Sequence, residues 1–213
     1  TNRVIFRGMG ADNQYRNMGE TRNTGFEASI NWNVINKKNY GLTIGANISI
    51  NKNKVVSLGD IDEIKSIATN WASTDVPQDF IIKTGEPIGQ IYGYKTAGRY
   101  EVSDFDMSKS SGSNWVLNDG VADASSVLGA IKPGMMKLVD IDGDGFVTDA
   151  DRTIIGDTNP ACIGGFNINA HAYGFDLVAN FNWSIGNDVY NANKLMFTQT
   201  SSRQTYWNLT DEM

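Results

Sequence analysis

The chain has 213 residues, with 18 Lys plus Arg against 24 Asp plus Glu and a net charge of −6. That sign excludes a phosphate-binding basic stripe and so argues against a nucleic-acid partner. One cysteine, Cys162, rules out an internal disulfide framework and a Cys-rich zinc site, and one histidine, His171, rules out a multi-histidine metal centre.

Twenty-two glycines against four prolines, with abundant asparagine, favour strands and turns, because Gly and Asn supply the φ > 0 positions that tight turns need. No run approaches about 18 consecutive apolar residues, so no transmembrane helix is expected. The opening Thr-Asn-Arg-Val-Ile-Phe-Arg-Gly is no signal peptide, and the expectation is a processed or excised piece. A hydropathy window is blind to transmembrane strands, whose alternating polarity averages out.

In chain order, residues 1–22 read as a strand or loop lead-in and residues 23–51 as a hairpin. Phe26, Ala28, Ile30, Trp32 and Val34 fall on one face of the first strand, with Glu27, Ser29, Asn31 and Asn33 on the other. After the polar turn Asn36-Lys-Lys-Asn39, Tyr40, Leu42, Ile44, Ala46, Ile48 and Ile50 alternate with Gly41, Thr43, Gly45, Asn47, Ser49 and Asn51.

Residues 52–162 have a different texture. Ile61, Ile64, Ile67 and Ala68 fit a weak helical face or a short strand between Leu58 and Trp71. Residues 85–101 are strand-like and punctuated by glycine, and Asp104 to Ser113 reads as a mobile polar loop. Trp71, Tyr92, Tyr94, Tyr100 and Trp115 could stack on sugar rings, but a small core for this segment is the favoured assignment. Asp104 and Asp106 have no positioned partner and read as a solvated turn. Gly85 and Gly89 lack the Gly-Lys-Ser/Thr ending of a phosphate loop.

Residues 140–151 carry the clearest chemistry. Asp-Ile-Asp-Gly-Asp-Gly-Phe-Val-Thr-Asp-Ala-Asp is the acidic calcium loop D-x-D-x-D-G-x5-[DE]. Calcium takes about 6 to 8 oxygens, which a tight loop delivers from alternate positions. Asp140, Asp142 and Asp144 supply carboxylates, Phe146 its main-chain carbonyl, Thr148 the next position, and Asp151 closes the shell in place of the usual Glu. Gly145 allows the sharp turn, and Val147 should point into a core. Met135 to Val139 reads as a strand and residues 151–156 as one helical turn at most. The loop should therefore sit between non-helical elements and bind calcium structurally.

Residues 163–186 form a second hairpin. Phe166, Ile168, Ala170 and Ala172 share a face, as do Phe175, Leu177, Ala179, Phe181, Trp183 and Ile185 in the next strand, and only Tyr173-Gly174 separates the two. The strands run about 10 to 12 residues, above the usual 5 to 6 and close to the 9 to 11 that cross a bilayer. Tight turns on one side and one very long connection on the other match the asymmetry of membrane barrels. Residues 187–213 read as a following loop and a truncated barrel end. His171 and Cys162 share a strand nine positions apart and are expected to be a polar face residue and a strand-start filler, not a catalytic pair.

Several stretches, in order, resemble the SusC/RagA family of TonB-linked outer-membrane transporters of Bacteroidetes. They are Asn23-Thr-Gly-Phe-Glu with Asn31-Trp-Asn, Gly45-Ala-Asn-Ile-Ser with Asn51-Lys-Asn-Lys-Val, and Gly89-Gln-Ile-Tyr-Gly-Tyr-Lys-Thr-Ala-Gly. Gly134 through Asp151, Asp151-Arg-Thr-Ile-Ile-Gly-Asp-Thr-Asn-Pro, Gly164-Gly-Phe, Gly174-Phe-Asp-Leu and Gly186-Asn-Asp-Val-Tyr-Asn follow. The set covers about residues 15–195.

The resemblance implies an all-β fold: antiparallel strands from a roughly 22-stranded transmembrane barrel, with the long middle segment extracellular. It implies an N-terminal plug that contacts TonB, a SusD-like surface lipoprotein partner, glycan or peptide cargo and an outer-membrane location. Plug, TonB box and barrel closure are beyond this sequence, so a late-barrel fragment is expected. Phe26, Ile30, Trp32, Leu42, Ile44, Ile48, Phe181 and Trp183 would face lipid. Glu27, Asn31, Asn47, Asn167, His171, Asp176 and Asn180 would face a polar lumen. The competing expectation is a secreted, calcium-stabilised β-sandwich that binds or adheres. An enzyme is not expected, because no acid/base pair with an orienting group can be assembled.

Overall fold

The computed structural model describes residues 2–4, 13–15, 19–67 and 78–197. Ala68, Trp71 and residues 198–213 lie outside the described residues. The strands in chain order are β1 (Asn2–Val4), β2 (Asn13–Tyr15), β3 (Glu20–Asn36), β4 (Tyr40–Ser57), β5 (Glu63–Ile67) and β6 (Phe80–Lys83). They continue with β7 (Gln90–Gly93), β8 (Thr96–Arg99), β9 (Met136–Leu138), β10 (Thr153–Asp157), β11 (Cys162–Ala172) and β12 (Phe175–Ile185). Two short α-helices, α1 (Ser125–Leu128) and α2 (Ala192–Phe197), and two 3₁₀ turns, Val102–Asp104 and Asp149–Asp151, complete the regular structure among the described residues. The chain divides into two compact units, residues 92–155 and the remainder.

The first unit is dominated by an antiparallel sheet in the order β12-β11-β4-β3. The two expected hairpins are therefore both present, and β4 pairs with β11 across the long excursion between them. Tyr173 at φ 49° and Gly174 at φ 91° make the β11–β12 turn, the positive φ pair that matches the twist of the flanking strands. The Tyr173 N–H donates to the Asn39 carbonyl at 2.9 Å, tying the two hairpin turns together.

Two expectations change in this unit, and one open alternative resolves. β4 continues to Ser57, because Thr21 to Asn23 of β3 pair with Val55 to Asn53 beyond the alternating stretch. A register shift between Asn33 and Ile35 sets Ile35, not Val34, opposite Leu42. A bulge of this kind slides the apolar position by one residue. Of the helical face or short strand expected between Leu58 and Trp71, the strand forms: β5, which begins after Ile61 and pairs to β6 with Ile64 opposite Ile82. β-branched isoleucines pack better on a pleated surface than in a short helix.

β5 and β6 belong to a second sheet, ordered β10-β7-β6-β5. Ile81 and Ile91 are buried there. The turn at Gly85-Glu86 exchanges main-chain hydrogen bonds with fully buried Val55 at the far end of β4.

The second unit has little regular structure and a proper core. Tyr100, Phe105, Ala124, Ile131, Leu138 and Val147 are buried together, with Tyr94, Trp115, Leu117 and Met135 packed against them. β8 pairs with β9. The expected mobile loop at 104–113 is anchored instead. Phe105 is 3% exposed, and its ring meets Trp115 edge-on at 5.3 Å. Asp104 pairs with Lys137 at 3.1 Å, and Asp106 accepts from the Ser108 hydroxyl at 2.6 Å and pairs with Lys109 at 2.9 Å. Polar composition concealed one core aromatic and two anchoring carboxylates.

Candidate functional site

Two features carry chemistry: the faces of the four-stranded sheet and the acidic loop of the second unit. Cross-strand registration turns the alternation of single strands into rows. Trp32, Ile44, Ile168 and Ala179 form one apolar row; Ile30, Ala46, Phe166 and Phe181 form the next. Phe166 and Phe181 stack at 4.4 Å. All eight residues expected on the apolar side, including Phe26, Leu42, Ile48 and Trp183, share this face by register. Among the described residues nothing covers it: Phe26, Ile30 and Trp32 are 62%, 64% and 63% exposed. A soluble sandwich would lay a second sheet there.

The opposite face is polar. Asn31, Gly45, Asn167 and Asn180 form one row, and Ser29, Asn47, Gly165 and Asn182 another. Cross-strand hydrogen bonds lace its side chains: the Ser49 hydroxyl donates to Glu27 at 3.1 Å, and the Thr43 hydroxyl to Asn33 at 2.8 Å. His171 stands opposite Asp176. Beneath these groups Gly41, Gly45 and Gly165 are buried. A Cβ at Gly41 would meet the His171 ring, and one at Gly45 would meet the amides of Asn31 and Asn167. Gly164, on the apolar face, lies under the Trp183 ring. An aromatic laid over a strand glycine shields the bare backbone there. Cys162 and His171 project to opposite faces of β11, since nine positions is an odd number on a period of two.

The acidic loop joins β9 to β10 through a 3₁₀ turn, Asp149–Asp151, so non-helical elements flank it. The carboxylates of Asp140, Asp142 and Asp144 converge, with one oxygen of each lying within 4.8 Å of the others. Local main-chain bonds hold each of them. Asp140 accepts from the N–H groups of Gly143 at 2.7 Å and Gly145 at 2.8 Å, Asp142 from Asp144 at 3.2 Å, and Asp144 from Phe146 at 2.7 Å. Gly145 takes φ 89°, the left-handed conformation that this turn requires.

Asp151 has a different position from the other three acids. It is fully buried, and its two oxygens accept from Ile141 and Thr148 N–H groups at 2.7 Å each, with Asp142 N–H at 3.4 Å. These bonds, led by those from Thr148 and Ile141, hold its pKa below the ordinary 3.8. The Asp142 carboxyl moves the other way. The Asp144 N–H draws its pKa down, but desolvation and the nearby carboxylates of Asp144, Asp151 and Asp140 prevail and raise it. A cation between these groups would relieve that repulsion.

The loop is pinned to the core from inside. Val147 is fully buried, the Val147 N–H donates to the Asp123 carbonyl at 2.8 Å, and the Ser126 hydroxyl donates to the Val147 carbonyl at 2.5 Å. Sequence reasoning passed over Arg152, directly after the loop. Its guanidinium lies 4.5 Å from the Tyr92 ring centre and 5.9 Å from that of Tyr94, and it pairs with Asp149 at 3.3 Å. A cation following an acidic loop, with two tyrosines spaced by one residue upstream, was the available signal. Tyr92, Tyr94, Tyr100 and Trp115 all belong to packing, and the Tyr100 hydroxyl donates to the Ala122 carbonyl at 2.7 Å.

No protein-family model matches the chain. It is 34% identical over 184 residues to TonB-dependent receptor P3 of Formosa agariphila, a match covering 85% of this chain and 17% of that receptor. TonB-dependent receptor P39 of the same organism is 29% identical over 204 residues, with 85% of this chain and 18% of that receptor covered. The chain thus spans less than a fifth of the length of the relatives it matches. Among solved structures, that of the RagAB peptide transporter shares the fold with a TM-score of 0.50 at 20% identity, covering 89% of this chain and 18% of that one.

Proposed function

We propose, from homology to TonB-dependent receptors over most of its length, that this chain is one stretch of the barrel wall of an outer-membrane nutrient importer, with unit 92–155 as an extracellular insertion. The homologues are outer-membrane receptors and not enzymes. The carrying observation is the two-faced sheet: large apolar side chains in register and uncovered on one side, amides and hydroxyls laced together on the other. Strands with those faces are stable where lipid bathes one side and water the other. In this reading Phe26, Ile30, Trp32, Leu42, Ile44, Ile48, Phe181 and Trp183 meet acyl chains. Glu27, Asn31, Asn47, Asn167, His171, Asp176 and Asn180 line the lumen. Glycans or peptides are the cargo, a SusD-like lipoprotein is the surface partner, and TonB engages the parent protein elsewhere.

The test is a pair of lysine substitutions in the full-length parent. Ile44→Lys should cost about 2–4 kcal/mol of stability in a bilayer, while Asn47→Lys should be mild. Equal tolerance at the two positions, or recovery of the parent outside the outer-membrane fraction, would sink this assignment.

The acidic loop fits a structural calcium ion. Asp140, Asp142 and Asp144 would provide carboxylates and Phe146 and Thr148 further oxygens, with Asp151 holding the loop in shape from the buried side. The ion would offset the carboxylate repulsion and order the loop. Terbium luminescence sensitised by nearby aromatics should report binding that calcium displaces. Asp151→Asn should weaken that binding by roughly ten- to a hundredfold, as loss of a group that orients the ligands does. Protease sensitivity of residues 130–160 that is identical with and without chelator would overturn the metal assignment.

A further inference from the structure

The two tight turns of the four-stranded sheet carry charges and aromatics that none of the above uses. Tyr173 is the only non-glycine residue with positive φ among the described residues. Gly or Asn normally fills such a turn position, and a bulky side chain there is an outlier. The Tyr173 side chain nevertheless stands in the open, 77% exposed. A residue that strains its backbone and buries little within the chain points to a contact outside it.

The neighbouring turn supplies cations. Lys37 and Lys38 are exposed, and neither has an ion-pair partner among the described residues. The bond from the Tyr173 N–H to the Asn39 carbonyl holds the two turns side by side. Within residues 33–43 and 169–178 the only carboxylate is Asp176, and register sets it with His171 on the polar face. The turn end is thus locally positive in a chain whose net charge is −6.

Next to the lysines lies the last row of the apolar face, Tyr40, Ala172 and Phe175, and after it Leu42, Ala170 and Leu177. Phe175 is 82% exposed. The two alanines of β11 leave a lower strip between the larger side chains of β4 and β12. From the turns inward the surface runs from cations through tyrosines to hydrocarbon. That is the order within one leaflet of a bilayer: charged headgroups, an interfacial belt where Tyr rests, then acyl chains.

We infer that the paired turns form a site for an anionic phospholipid, its phosphate held by Lys37 and Lys38 and its acyl chains entering beside Tyr40, Tyr173 and Phe175. This rests on the importer reading, in which tight turns lie on the periplasmic side, so the lipid belongs to that leaflet.

The full-length parent is stripped of lipid in detergent and titrated with phosphatidylglycerol or phosphatidylcholine, and bound lipids are counted by native mass spectrometry. Phosphatidylglycerol should bind more tightly than the zwitterionic lipid. Lys37→Gln combined with Lys38→Gln should weaken it about thirtyfold and leave phosphatidylcholine unchanged. Lys52→Gln combined with Lys54→Gln, toward the other end of β4, should change neither. Tyr173→Asn, which suits the positive φ, should weaken both lipids alike. The inference is overturned if the two lipids bind equally, if the β4 lysines matter as much as the turn lysines, or if the turn lysines can be replaced without loss of lipid. In that last case a loss of uptake would assign them to a periplasmic protein. Recovery of the unaltered parent outside the outer-membrane fraction would overturn the importer reading itself, whereas a parent that stays in that membrane and ignores the turn lysines overturns this site alone.

Discussion

The sheet and the inserted unit are cut from the same residue vocabulary and solve the burial problem in opposite ways. In the sheet, Phe26, Trp32 and Phe175 stand exposed while glycines lie covered. In residues 92–155, Tyr100, Phe105 and Val147 are buried and glycines turn the chain at the surface. The hydrophobic effect acts on both, but it requires only that apolar area leave water. The inserted unit meets that demand by itself. The sheet needs an apolar surrounding, and its cohesion comes from an unbroken main-chain ladder and rows of cross-strand side chains.

The largest effect that would break this contrast is at Phe105. Phe105→Ala should cost the inserted unit about 3–5 kcal/mol. Protease cleavage within 92–155 should begin at lower temperature while the amide signals of β3, β4, β11 and β12 hold. If sheet and insertion melt together in this variant, the two are one cooperative body and the contrast fails. A middling effect is expected in the sheet itself. Gly164→Val puts a side chain against the Trp183 ring and the Asn47 carbonyl, and should cost about 1–3 kcal/mol by overpacking, with Trp183 fluorescence shifting and the insertion unchanged.

The smallest effect is an acid transition confined to the insertion. Side-chain bonds from Ser108 and Lys109 hold the Asp106 pKa down at about 2, and main-chain bonds lead in depressing Asp151 and, with Lys137, Asp104. A carboxyl depressed by folding contributes stability above its unfolded pKa and loses it as the pH falls through the folded one. Cleavage within 92–155 should therefore become easier as the pH drops from about 4 toward 2. Asp142 opposes this, because its raised pKa means the charged form strains the metal-free loop. Asp142→Asn should accordingly raise the melting temperature of the metal-free insertion while weakening terbium binding.

The legibility of these regions also differed, for physical reasons. Alternation revealed the four long strands and their two faces, because Ile44, Ala46 and Ile48 leave no other period open. It missed residues 52–57, because Lys52, Asn53 and Lys54 interrupt the apolar alternation ahead of buried Val55. The bulge near Val34 was invisible, since both Val34 and Ile35 are apolar and either suits the position. In the insertion the convergence of Asp140, Asp142 and Asp144 was legible, because alternate positions of a tight turn bring their carboxylates together. The rest was not, because a core assembled from single residues in irregular chain, such as Phe105 between two aspartates, has no period to detect.

β7 and β10 are neighbours in their sheet, so the chain departs for the insertion and returns at adjacent positions. The closure entropy of such an excursion rises only slowly with length, by about 0.6 kcal/mol per doubling. Lengthening, trimming or replacing residues 94–152 hardly changes the demands on the strands that bracket them. Natural variation can therefore redraw the insertion while the sheet keeps its register, and a laboratory graft between relatives could join at these two strands without redesigning the wall.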